Sequence, residues 1–194
     1  MSLQPKRETG DAGIPVFSKV LELFTGGFSL TSSTLSGFPG MKLPKGALLK
    51  VDESTRTATP IKTAKVATGG GGTTTILVER GHFFQAKDKV GKTVDGKAYA
   101  IGSIAASGDY DQLTIQTAID TATAGDVLFE STEAGATAAE IKTVANAISR
   151  YDSYLEAGYG VTAALRATVY KNRVQPHQAG HLADVEFIHF SASK

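Results

Sequence analysis

The sequence contains no cysteine and no tryptophan, and only two methionines among 194 residues. Without cysteine there are no disulfides, no thiolate metal sites and no thiol nucleophile, so packing and hydrogen bonds must carry stability. An excess of one charge is also missing, since 20 Lys and Arg stand against 19 Asp and Glu. Such a balance offers no long-range field to draw in a polyanion and argues against nucleic acid as a partner. No run approaches the ~18 apolar residues of a membrane span, and residues 1–13 lack the apolar centre of a signal peptide. The expectation is a soluble chain with no membrane partner and no readable export signal.

Glycine is frequent, at 21 residues. With plentiful Ala and Thr, it favours short strands joined by tight turns over long helices. The length suffices for a core without metal or disulfide staples. Residues 1–13 (MSLQPKRETGDAG) have neither periodicity nor apolar anchors and read as a flexible N-terminal arm. Residues 14–194 then form a single β-rich domain, or two β subdomains joined near 69–72, where four consecutive glycines exclude regular structure.

Residues 14–30 read as strand and 31–40 as a connector whose Ser, Thr, Gly and Pro favour turns. Residues 47–51, a polar turn at 52–56 and residues 57–61 read as a β-hairpin. Short apolar runs follow at 76–78, 82–84, 98–104, 113–117 and 127–130, at spacings of about ten residues. Ile141, Val144, Ala145, Ile148 and Tyr151 repeat at three and four residues, and Thr137 and Glu140 have capping-box spacing. They predict one amphipathic helix over 138–151. Strand pattern returns at 161–170 and 184–190, where Val185, Phe187 and His189 alternate with Glu186, Ile188 and Phe190. The fold class is mainly β (α+β), a small barrel or sandwich built from hairpins with that single helix.

Four constellations invite a chemical reading. Residues 91–97 (GKTVDGK) match most of a phosphate-binding loop, but Ala98 stands where the magnesium-binding hydroxyl belongs. The residues that follow look like a strand, whereas a phosphate loop must open a helix. Asp95-Gly96 is therefore read as a hairpin turn. His177, His181 and Asp184 would share one side of a helix and offer a metal site. Pro176 and Gly180 break that helix and no Glu flanks either His, so both are read as surface loop histidines. His82, between Gly81 and Phe83, reads as a partly buried strand residue. Asp109 and Asp111 flank Tyr110, and paired carboxylates can share acid–base work. Following Ser107-Gly108, they read as a turn.

There is no Gly-x-Ser-x-Gly elbow and no dinucleotide fingerprint. The sequence therefore implies no catalytic residue, no cofactor and no metal. The enzymatic alternative is a hydrolase using His82 or His177 with Asp109, Asp111 or Asp184, and no recognisable order of nucleophile, base and orienting group supports it.

The order of segments carries a resemblance. Ile14-Pro15-Val16, Gly26-Gly27 and residues 43–52 (LPKGALLKVD) come first. Residues 81–84, 100–107, 110–115 and 124–128 follow, then 163–170 with Arg173 and Pro176. Over most of 14–176 this order resembles the phage head decoration and head-fibre families. It departs from them at Lys87-Asp88-Lys89-Val90, where Gly is expected before Asp, and in the length of the helix over 138–151.

The resemblance implies a non-catalytic structural protein, made in the host cytoplasm and displayed on the virion exterior. Its partner would be the major capsid protein and its own state a homo-oligomer, most naturally a homotrimer. Residues 1–16 would pair by strand addition with an exposed capsid edge. Three copies would let weak contacts act at high effective concentration. The alternative is a small β-sandwich binding module, glycan-binding or fibre-associated, suggested by the Tyr and Phe content and by loops rich in Gly, Thr and Asp.

Overall fold

The computed structural model describes residues 15–38, 40–68, 74–157 and 159–192. The predicted arm at 1–13 and the glycines at 69–72 lie outside them. The chain is mainly β, and it divides into two compact units. The first holds residues 1–61, 144–175 and 182–194, and the second holds 62–143 and 176–181. The chain therefore leaves the first unit at 61/62.

In its first passage the chain forms β1 (Phe17–Leu23), β2 (Phe28–Leu30), helix α1 (Ser32–Gly37), β3 (Lys42–Leu43), β4 (Leu48–Asp52) and β5 (Thr57–Pro60). The predicted hairpin is β4 with β5, antiparallel from Leu49 opposite Pro60 to Asp52 opposite Thr57. The connector at 31–40 holds α1, a short turn of helix in which Leu35 N–H donates to the Thr31 carbonyl at 3.0 Å.

The second unit contains β6 (Thr63–Thr68), β7 (Thr75–Glu79), β8 (Lys89–Gly91), β9 (Ala98–Ser107), β10 (Tyr110–Ile115) and β11 (Val127–Glu130). These close into an antiparallel barrel in the order β10-β7-β6-β11-β8-β9. Period-two alternation turns Val66, Ile76, Val78, Ile101, Leu113 and Leu128 inward. Closure leaves no unpaired edge along the barrel wall.

The return passage through the first unit adds β12 (Ala147–Ser149), β13 (Ser153–Tyr154), β14 (Gly160–Val161), β15 (Ala163–Tyr170) and β16 (Ile188–Ser191). The main sheet runs β1-β15-β12-β4-β5-β2-β14, with β16 parallel to β15. β13 pairs with β3 in a small separate sheet. Leu48, Ile61, Ile148, Ala164, Val169 and Ile188 form the core of this unit, joined by Val16. The Val16 carbonyl also accepts the Tyr170 N–H at 2.9 Å. The proposed docking arm of 1–16 thus ends in a core residue, and any free leader must stop short of it.

The helix predicted over 138–151 is not formed. Ala139 and Ile141 pack with Ala98 and Phe129 in the second unit, whereas Ala145 and Ile148 serve the core of the first. The three-and-four repeat arises because one extended segment supplies two separate cores. Glu140 caps nothing: its N–H donates to Ser131 Oγ at 3.1 Å and its carboxylate accepts from Thr132 Oγ1 at 2.9 Å. Two predicted strands also shrink. Residues 82–84 are a buried loop, and in 184–190 only Ile188 onward is strand.

Candidate docking surface

The structure sorts the four constellations. Residues 91–97 form the β8–β9 connection, with Asp95 at φ +63° and Gly96 N–H donating to the Thr93 carbonyl at 3.0 Å. The Lys92 ammonium reaches Asp126 at 2.9 Å and the Thr121 carbonyl at 2.7 Å. No helix follows, so the segment is the turn that was expected.

His181 corrects its reading as a surface residue. It is 1% exposed, lies edge-on to Phe129 at 6.1 Å, and accepts the Gln178 N–H on Nδ1 at 3.2 Å. Asp184 belongs to the first unit and pairs with Lys50 at 3.2 Å. Among the described residues no three His, Cys, Asp or Glu converge to hold a metal ion.

His82 and Asp111 do come together. Asp111 lies on β10, while Asp109 stays in the turn between β9 and β10. His82 Nδ1 accepts the Phe84 N–H at 3.2 Å, which leaves the proton on Nε2, 3.4 Å from Asp111 Oδ2. Burial holds the imidazole below its ordinary pKa, outweighing the opposing pull of Asp111. One ring nitrogen faces the backbone and the other faces the carboxylate, so neither is presented to a substrate.

An open feature lies in the first unit, where β1 forms one edge of the main sheet. Its pairing with β15 slips three times: Lys19 follows Phe17 and Glu22 follows Val20 across single steps of β15, and Leu23 follows Glu22 across two. Ser18 and Leu21 are the extra residues on β1, and Leu165 is the extra residue on β15. Such bulges twist an edge away from indiscriminate pairing and re-aim side chains outward. Leu21 is 60% exposed and Leu23 37%, and Phe187, just before β16, is 58% exposed.

Leu23 and Phe187 flank a hollow of about 350 Å³ whose apolar wall is completed by Phe24 and Leu165. Its surroundings are held by short local contacts. The Arg56 guanidinium donates to the carbonyls of Thr25 and Gly27 and lies 4.6 Å over the Phe28 ring, fixing the turn after β1. Asp52 accepts from Ser54 Oγ at 2.6 Å and from the N–H groups of Ser54 and Thr55, which set the turn that carries Glu53. Those bonds pull the Asp52 carboxyl down to about 2. Asn146 binds both backbone groups of Val51, at 2.8 and 2.9 Å, as a strand partner would.

No family model, curated protein or solved structure matches this chain.

The rim is acidic, with Glu22, Glu53, Asp184 and Glu186. Arg166 joins two sides of it, 4.0 Å from the Glu22 carboxylate and 5.6 Å over the Phe187 ring. The sequence singled out Asp184 only as a possible metal ligand or acid–base partner, and marked none of these residues as part of a docking surface. The alternation across 184–190 assigned Phe187 to the same face as buried Val185, whereas the buried pair is Val185 and Ile188. An outward Phe is indistinguishable by type from a core Phe, and only the register of β16 separates them.

Proposed function

We propose that the chain is a non-catalytic structural protein of a phage-type virion that docks on the major capsid protein and decorates or cements the capsid exterior. The observation that carries the docking part is the apolar surface of the first unit, with Leu21, Leu23 and Phe187 all exposed on or beside a bulged edge strand. Apolar residues gathered at one edge, rimmed by charge, are the usual mark of a protein-binding surface. The virion part is supported by the segment order described above. Assembly as a homotrimer would multiply three such contacts on a lattice of matching symmetry.

Co-sedimentation tests this directly. Purified protein pellets with empty capsids assembled from the major capsid protein of the same phage. Replacing the anchor by Phe187→Ser weakens binding at least tenfold, about 1.4 kcal/mol. Binding to immobilised glycans with none to capsids would favour the glycan-binding module instead.

A further inference from the structure

We propose that the hollow beside β1 receives a cationic side chain with an apolar stem, a lysine or arginine on an extended segment of the capsid partner. The inference rests on the docking reading above and adds the chemistry of the contact. Four carboxylates rim the hollow. Lys50 pairs with Asp184 and Arg166 stands by Glu22, while Glu53 and Glu186 have no ion pair among the described residues. Two uncompensated negative charges therefore face a wall made of Leu23, Leu165 and Phe187.

Each other class of occupant leaves one part of that surface unsatisfied. A purely apolar side chain would strip water from Glu53 and Glu186 without replacing it, which is costly for any carboxylate. An anionic segment would be repelled. A bare divalent ion needs several convergent oxygens, and among the described residues no such group forms. Asn146 already has both ends of its amide bound to Val51. A lysine or arginine meets every condition: its methylene stem lies along Leu23 and Leu165, and its head reaches Glu53 and Glu186. The Phe187 ring already has the Arg166 cation near it and offers a π face to the incoming one.

The test is a nuclear magnetic resonance titration of the full chain with an acetylated, amidated heptapeptide alternating valine and arginine. Its control has glutamate in place of arginine. The arginine peptide is expected to shift the amides of Leu23, Glu186 and Phe187 and to bind at least tenfold tighter than the control. The double variant Glu53→Gln, Glu186→Gln, which alters only exposed side chains, lowers that affinity at least fivefold without changing the melting temperature. Equal affinity for the two peptides, or no loss in the double variant, overturns the proposal. So does a shift of the Leu23 and Phe187 amides on deleting residues 1–13, which would make the chain's own Lys6 and Arg7 the occupant. If the double variant pellets with capsids as well as the parent, the cation contact falls and capsid docking stands. If the parent fails to pellet while the arginine peptide binds, docking on capsids falls and the cation site stands.

Discussion

His82 and His181 are held neutral by burial, both below the ordinary 6.5. In the unfolded chain each takes a proton as pH falls through that value, while the folded chain does so only at lower pH. Stability is therefore fully present above the ordinary value and is lost as pH falls below it. The urea midpoint should drop between about pH 7.5 and about pH 5.5, and His82→Gln should flatten part of that slope; a flat parent profile would contradict the assignment. Asp52 and Asp126, both lowered by hydrogen bonds, act in a separate and more acidic window. Lys87 offers a second test. It sits at φ +78°, a left-handed conformation that glycine adopts freely, at the position where the decoration-protein pattern expects Gly before Asp. Lys87→Gly should raise unfolding free energy by about 0.5–1 kcal/mol, and a loss on chemical denaturation would refute the strain argument. Turn residues were legible at this scale because their backbone demands are local, as Asp95-Gly96 and Gly108 show. His181 was not, because its burial depends on Phe129, far away in sequence.

Among the elements, the hairpin of β4 and β5 was readable since alternation and a polar turn sit within one short stretch. The segment 138–151 was misread because its apolar residues belong to two cores, and a periodicity count assumes one. Strand β1 was found, yet the three register shifts of its pairing were not, since a bulge is defined by the partner strand. The barrel wall holds a partly buried ion network that gives an element-scale test. The Lys62 ammonium lies 2.8 Å from both Asp88 oxygens and 3.4 Å from Glu130, which also binds Lys142 at 2.7 Å. Asp88 in turn accepts the Gln85 N–H at 2.7 Å, tying the network to the loop that enters β8. Lys62→Met leaves Asp88, which has little access to water, without a cation while Glu130 keeps Lys142, and should cost about 3 kcal/mol of stability. Urea unfolding followed by far-ultraviolet circular dichroism measures it, and a neutral effect would mean that solvent screens the network.

At the scale of the molecule, the mainly β class followed from composition and run lengths, whereas the partition into two units did not. The chain passes between them at 61/62, 143/144, 175/176 and 181/182, and none of these points carries a change of composition. The proposed docking surface was likewise hidden, assembled from the end of β1, the β4–β5 turn and the residues before β16. That surface joins an exposed Phe187, at a hollow rimmed by carboxylates, to an exposed Leu21 on the bulged edge strand. The most direct measurement of the proposed virion role is the co-sedimentation of the parent, Phe187→Ser and Leu21→Ser proteins with empty capsids assembled from the proposed capsid partner, each variant first shown to keep the parental melting temperature. The account predicts that the parent pellets and that both variants lose at least tenfold in affinity. Equal pelleting of all three, or none by the parent, would contradict it.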